Sequence, residues 1–148
     1  MARALTFVMA AVVSLLPFVQ PLISPPVFAQ GAAAPALDYN VFKTKVQPIL
    51  TAARKGNSRC TACHSRGGGN AYLEPLPPGS DTYNEEQSRR NFDRVSRLVV
   101  PGEPLKSLLL TNPLDTEAGG AGWHGGGKHW HAQTDPEWQT LAAWVRGS

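Results

Sequence analysis

Two cysteines separated by two residues and followed at once by a histidine form the most chemically distinctive segment of the chain, Cys60-Thr61-Ala62-Cys63-His64. In a helical turn, residues i and i+3 lie on the same side, so both sulfurs can reach one edge of a flat cofactor. Two thioether bonds to the vinyl groups of a haem, with the histidine binding iron from one face, use all three side chains. The motif therefore predicts one covalently attached haem c, held by Cys60 and Cys63, with His64 as the proximal iron ligand.

Other uses of a Cys-x-x-Cys pair fit the rest of the sequence less well. A thioredoxin-like redox pair needs a βαβ setting, and no stretch here alternates apolar and polar residues over a strand length. A structural zinc site needs four ligands, and only His124, His129 and His131 could complete the set. A plain disulfide would close a two-residue loop and constrain almost nothing, which leaves the motif without a purpose.

Amphipathic segments on both sides of the motif predict the helices that must position it. Asp38 can cap a first helix, and Pro48 is expected to kink or end that helix near its last turn. A second helix is predicted from about residue 84 to 98, with Pro101-Gly102 as its stop, and Pro104 is expected to start a short turn. The last helix should begin at Asp135-Pro136. The apolar faces of these helices are Tyr39, Phe42, Val46, Ile49 and Leu50 in the first, Phe92, Val95 and Val99 in the second, and Trp138, Leu141, Ala142 and Val145 in the last.

Composition limits the size and class of the protein. The 148 residues contain 14 Gly and 13 Pro, and they carry a net charge of only +3 with 17% charged residues. This chain is too short for a large α/β enzyme, and its charge is too weakly biased for a nucleic-acid footprint, so we expect no nucleic-acid partner. The predicted fold class is all-α, one small domain with long Gly/Pro-rich loops.

The first 29 residues have the order of parts found in a secretory signal peptide. A charged start (Arg3) precedes the apolar run 5–18, and Val27-Phe28-Ala29 offers small residues at −3 and −1 of a cut before Gln30. The apolar run is shorter than the ~20 residues that span a bilayer, so an uncleaved anchor is the weaker alternative. We therefore predict an exported, periplasmic protein with no stable membrane span after cleavage. Residues 30–38 read as a flexible Ala/Pro-rich lead-in, and residues 39–148 as the folded domain.

Three further segments carry recognisable motifs. They are Val46-x-Pro48-Ile49-Leu50 before the Cys60-x-x-Cys63-His64 motif, then Val100-Pro101-Gly102-x-Pro104-x-x-Ser107-x-Leu109, and finally Leu141-x-x-Trp144-Val145-x-Gly147. With these motifs the chain resembles the small exported class I cytochromes c, notably the planctomycete-type and acidobacterial haem-c domains. The resemblance covers about residues 39 to 147. The resemblance implies a small all-α cytochrome c fold in which the first and last helices cross behind the haem, with Phe42 against Leu141 and Trp144.

The second axial ligand departs from what the resemblance implies. Class I cytochromes c commonly supply a methionine some twenty residues before the C-terminal tryptophan, but this chain has no Met after position 9. At the equivalent place it reads Gly122-Trp123-His124-Gly-Gly-Gly127-Lys-His-Trp-His131. We therefore expect bis-His ligation with His124 as the distal ligand, while His129 and His131 stay open as alternatives. Arg54, Lys55, Arg59 and Arg66 flank the motif and could pair with the haem propionates, although an exposed charged face is an equal alternative.

These features predict a monohaem electron carrier, iron-containing but not an enzyme, that meets redox proteins or a membrane electron-transfer complex transiently. An open distal site would instead suit a haem-based gas-binding sensor or a peroxidase, with a histidine acting as acid and base. A third alternative is a subunit of a larger respiratory or photosynthetic complex. The sequence itself identifies neither the partners nor the reduction potential.

Overall fold

The computed structural model describes residues 33–54, 56–67 and 70–148, and the predicted signal peptide lies outside these ranges. Within them the chain is helical and has no strand, only two isolated bridges, which confirms the all-α expectation. None of the helices in these ranges is long and apolar enough to cross a membrane. The part of the lead-in that is described contacts the domain, because Leu37 packs against the core.

Helix α1 has three consecutive segments, α-helical Tyr39–Val41, π-helical Phe42–Val46 and α-helical Gln47–Thr51. Asp38 caps it as expected, accepting a hydrogen bond from the N–H of Val41. Pro48 lies in the last turn of this helix, which ends at Thr51, as expected. A proline removes one N–H and crowds the carbonyl four residues back. The π-helical segment, in which the N–H of Gln47 donates to the carbonyl of Phe42, widens the preceding turn.

Five α-helices form the domain in all, joined by short 3₁₀ turns. Helix α2 is Cys60–His64, α3 is Glu85–Val95, α4 is Leu108–Thr111 and α5 is Pro136–Arg146. The 3₁₀ turns are Ser96–Leu98, Pro104–Lys106 and Thr116–Ala118. Asn84 and Gln87 form a capping box at the start of α3, and Pro136 occupies the first turn of α5 as predicted.

The core lies where α1, α3 and α5 meet, and its members match the predicted apolar faces. The ring centroids of Phe42 and Trp144 are 5.6 Å apart, which confirms that predicted contact, and Leu141 is buried in the same cluster. The indole N–H of Trp144 donates to the carbonyl of Asp38 at 2.9 Å. The first and last helices are thus joined by packing and by a hydrogen bond, as a small domain with a limited core requires.

A small buried polar group joins α1 to α3 beside this apolar core. The Gln47 side chain donates to Ser88 Oγ at 3.0 Å, and Asn91 Oδ1 accepts the backbone N–H of Glu74 at 2.7 Å. All three polar side chains are buried. The sequence pattern did not predict them, because apolar periodicity does not reveal a polar residue whose partners are supplied by another element.

Candidate functional site

Helix α2 presents the Cys-x-x-Cys-His motif to a cavity of about 330 Å³. Cys60, Cys63 and His64 all line this cavity, as sequence analysis expected of one site, and so do His124 and His129 from the far end of the chain. Its volume lies within the ~300–1,000 Å³ that cofactor and small-molecule sites occupy. Its other lining residues include Leu50, Tyr72, Leu98, Leu109 and Trp130, which give it largely apolar and aromatic walls.

No disulfide joins Cys60 to Cys63, and the surroundings of Cys60 do not suit a redox nucleophile. Burial raises the pKa of Cys60, although the Arg54 guanidinium acts in the opposite direction. A reactive Cys-x-x-Cys pair needs a lowered pKa, since the thiolate is the nucleophile. Cys60 and Cys63 both line the cavity, where they would contact a ligand that fills it.

The His64 ring is held in one orientation by two neighbours. Its Nδ1 lies 2.9 Å from the carbonyl oxygen of Asn70, and the Tyr72 ring stacks against it with centroids 4.2 Å apart. Burial lowers the pKa of His64, so the imidazole is neutral near pH 7. In a neutral imidazole whose Nδ1 donates to a carbonyl, Nε2 keeps its lone pair, and this is the arrangement that metal-binding histidines use.

His124 lies opposite His64 and has the same kind of hydrogen bond. The two ring centroids are 6.1 Å apart and the ring planes differ by only 12°. Nδ1 of His124 lies 2.7 Å from the carbonyl oxygen of Gly127, while the N–H of Gly127 donates back to the carbonyl of His124 at 3.0 Å. Gly127 has φ +81°, and a Cβ at this position would lie 2.9 Å from Oδ1 of Asn57. Glycine is therefore required at the residue that fixes the His124 ring.

The other two histidines are in different environments. His129 lines the cavity, and burial together with the positive charge of Arg54 lowers its pKa to about 4. Its Nδ1 is buried and has no hydrogen-bond partner within the described ranges, unlike the Nδ1 atoms of His64 and His124. His131 lies outside the cavity, is 82% exposed, and pairs with Asp115 at 2.7 Å. Of the three candidates for a second ligand, only His124 combines position and hydrogen bonding as a metal-binding histidine does.

The segment that carries His124 and His129 is held in place by contacts with the backbone of neighbouring segments. Trp130 forms a bridge with Leu114, and the N–H of His129 donates to the carbonyl of Pro113 at 2.7 Å. The ammonium group of Lys128 donates to the carbonyls of Asn112 and Ala121. A segment with six glycines between residues 119 and 127 is thereby held against the cavity without any regular element of its own.

One carboxylate connects this segment to the first and last helices. Oε2 of Glu137 accepts hydrogen bonds from Nε and Nη2 of Arg54, at 3.0 and 2.7 Å, and from Nε1 of Trp130 at 3.1 Å. Arg54 also donates to the carbonyl of Ile49 at 2.7 Å. Trp130 is the next residue in the sequence after His129, and both line the cavity. The hydrogen bonds to Glu137 therefore fix the part of the cavity wall that contains His129.

Among the described residues, the charged side chains that line the cavity are those of Arg59, Arg94 and Arg97. Arg59 pairs with Asp81 at 3.0 Å and Arg94 with Glu74 at 2.8 Å. Such a rim is suited to an apolar ligand that also carries carboxylates.

Of the basic residues that flank the motif, Arg59 lines the cavity, whereas Arg54 is engaged by Glu137 and does not. Arg66 is exposed away from the cavity, and Lys55 lies outside the described residues. Arg94, in the last turn of α3, and Arg97, in the 3₁₀ turn that follows, also line the cavity. Sequence reasoning did not find these two, because they lie some thirty residues after the motif and nothing in the local sequence marks them.

The distance between the two ring centres is compatible with a single metal ion bound by both imidazoles. Two nitrogens that each lie about 2 Å from one ion, on opposite sides, put the ring centres about 6 Å apart. The observed 6.1 Å matches this value. In the described ranges no group of three or more His, Cys, Asp and Glu side chains converges as a closed zinc site would require. The cavity therefore brings two imidazoles and two cysteine side chains together in one place.

Comparison with protein-family models, with curated proteins and with solved structures finds no match to this chain. Its function therefore has to be inferred from the geometry of this cavity.

Proposed function

We propose that the protein is an exported monohaem c-type cytochrome with bis-His iron ligation, and that it transfers electrons. The observation that carries this proposal is the pair of nearly parallel imidazoles of His64 and His124. Their centroids are 6.1 Å apart across a cavity whose wall also holds Cys60 and Cys63. Both Nδ1 atoms lie within hydrogen-bond distance of backbone carbonyls, which leaves both Nε2 lone pairs for iron.

Each part of the site has a role in this proposal. Cys60 and Cys63 form thioethers to the vinyl groups, which prevents loss of the cofactor outside the cell. His64 is the proximal ligand, and its ring orientation is kept by Asn70 and Tyr72. His124 is the distal ligand. When bound, the haem supplies one-electron chemistry, with iron moving between the ferric and ferrous states.

Arginines at the rim would receive the two propionates. Arg59 and Arg94 already pair with carboxylates at 3.0 and 2.8 Å, so they are in fixed positions. Arg97 lines the same cavity and is exposed, with no ion pair within the described part of the chain. We therefore propose Arg97 as the arginine with most freedom to pair with a propionate.

A carrier is favoured over a peroxidase or sensor with a permanently open distal site, because His124 lies where the sixth ligand would bind. An exported location agrees with this function, since haem attachment of this kind needs export of the apoprotein. Redox proteins or a membrane electron-transfer complex are the proposed partners, met over a small interface.

Intact mass of the purified mature protein tests the proposal directly. We expect the mass of the polypeptide plus one haem, and a pigment that stays with the protein during acid-acetone extraction. Cys60→Ala and Cys63→Ala should each yield a single-thioether or poorly folded product. A Ser58→Ala variant, which leaves the motif unchanged, is the matched control. Free thiols on both cysteines in material from a host that can mature c-type cytochromes would refute the proposal.

A further inference from the structure

His124 and His64 are held with very different strength. His64 belongs to α2, has the Tyr72 ring stacked on it at 4.2 Å and accepts the N–H of Leu73 at its carbonyl. His124 belongs to no helix, and its side chain has one hydrogen bond, to Gly127 in its own turn. The residue before it, Trp123, is 84% exposed. The side chain of His124 therefore has a hydrogen bond only within its own turn, although the backbone of the segment is held by Lys128 and by contacts with residues 111–113.

His129 is a fixed second imidazole beside His124. Their ring centroids are 5.9 Å apart. The backbone of His129 donates to Pro113, and the next residue, Trp130, is buried and bonded to Glu137. This position does not depend on the turn that holds His124.

The surroundings of the His129 ring favour the tautomer that carries its proton on Nε2. Its Nδ1 is buried without a partner, and a buried N–H left unpaired costs more than an unpaired acceptor. Nε2 faces the glycine turn, 3.8 Å from where a Cβ on Gly126 would lie. A residue with Nε2–H cannot bind iron through that atom, but it can donate a hydrogen bond to a molecule in the cavity.

We propose that the cavity also binds a small diatomic ligand, which replaces His124 on the ferrous iron and accepts a hydrogen bond from Nε2 of His129. This inference rests on the proposed function. The exchange breaks the bond between iron and Nε2 of His124 and forms one between iron and the ligand, with no change in oxidation state and no proton transfer. The glycine turn that carries His124 moves out, while His129 stays on the wall.

Carbon monoxide mixed with the reduced holoprotein tests the exchange. If His124 must leave first, the observed rate of binding rises with carbon monoxide concentration and then becomes constant. His124→Ala has no ligand to lose, so its rate should rise linearly over the same range. Electron paramagnetic resonance of the ferric parent establishes beforehand that the iron is low-spin and six-coordinate.

Infrared spectroscopy of the carbon monoxide adduct tests the contact with His129. A donor near the bound oxygen weakens the C–O bond, so His129→Leu should shift the C–O stretch to higher frequency. His129→Gln keeps a side-chain N–H and should return the C–O stretch toward the parent value. If the leucine variant does not fold, the glutamine variant is compared with the parent in its place. His131→Leu is the matched control, because this histidine is exposed outside the cavity, and its adduct should be like the parent's.

The outcomes separate this inference from the proposed function. A low-spin parent that binds no carbon monoxide when reduced overturns the inference and leaves the electron carrier intact. Binding with a C–O stretch that is the same in His129→Leu as in the parent overturns the role of His129. Absence of covalent haem refutes the proposed function and the inference together.

Discussion

The carboxylate of Glu137 is the best single point at which to test how the cavity wall is held. Its Oε2 accepts three hydrogen bonds, two from Arg54 and one from Trp130. The side chain of Arg54 is 11% exposed and that of Glu137 is 38% exposed. Glu137→Gln keeps the shape of the side chain but removes the charge that the nearly buried guanidinium faces.

The expected loss follows from these contacts. Removing one partner of a fully buried ion pair costs about 3–5 kcal/mol, and the partial exposure of Glu137 reduces this because water screens the charge. We therefore expect Glu137→Gln to lower the free energy of unfolding by about 2–3 kcal/mol. For a domain of this size that is a fall in Tm of roughly 8–12 °C. Trp130→Phe removes one neutral donor, worth about 1 kcal/mol, and also part of a buried ring, so its loss should exceed that of the hydrogen bond alone.

Urea unfolding of the holoprotein, followed by far-ultraviolet circular dichroism, measures these changes. Glu103→Gln is the matched control, because Glu103 pairs with Lys106 at 3.2 Å on an exposed surface and should cost at most about 1 kcal/mol. If Glu137→Gln costs no more than Glu103→Gln, the network does not hold the wall, and the reasoning is refuted.

Three further predictions follow from the core, from a surface pair and from the proposed ligands. Phe42→Ala, which removes a fully buried ring between α1 and α5, should lower the free energy of unfolding by about 3–5 kcal/mol in chemical denaturation, and a loss under 1 kcal/mol would contradict the packing. The hydrogen bond to Asp115 and the charge of that residue raise the pKa of His131, so the pair should stabilise the fold below the unfolded pKa of about 6.5 and lose this effect as pH rises through the folded pKa. Between pH 5 and 9, the Tm of the parent should therefore exceed that of His131→Gln by an amount that decreases as the pH rises. A difference in Tm that increases with pH would contradict this prediction. A second imidazole favours Fe(III) more than a thioether does, so the midpoint potential should lie below those of His/Met cytochromes whose haem is similarly buried. A potentiometric value as high as theirs would count against bis-His ligation.

The helices could be predicted from sequence because their signals are local. Asp38, the Asn84 and Gln87 pair, and Asp135-Pro136 each mark a helix start in the residues nearby, and the structure has helices at all three. The π-helical segment before Pro48 was not predictable in this way. A proline forbids one hydrogen bond, but whether the helix ends, kinks or widens depends on what its apolar face packs against.

Parts of the candidate site needed the folded chain. The spacing of Cys60, Cys63 and His64 carries its own chemistry, and these residues do line one cavity. Choosing between His124 and His129 required knowing which Nδ1 meets a carbonyl, which depends on the turn at Gly127 and on the packing around Trp130. No spacing rule contains that information.

Electron paramagnetic resonance of the ferric holoprotein, in the parent and in single His→Ala variants, tests the central claim most directly. If His64 and His124 both bind iron, as proposed, the parent should be low-spin and six-coordinate. His124→Ala should become high-spin, whereas His129→Ala and His131→Ala should stay low-spin. A high-spin parent, or a His124→Ala variant that remains low-spin while His129→Ala or His131→Ala changes, would contradict the assignment of His64 and His124 as the two axial ligands.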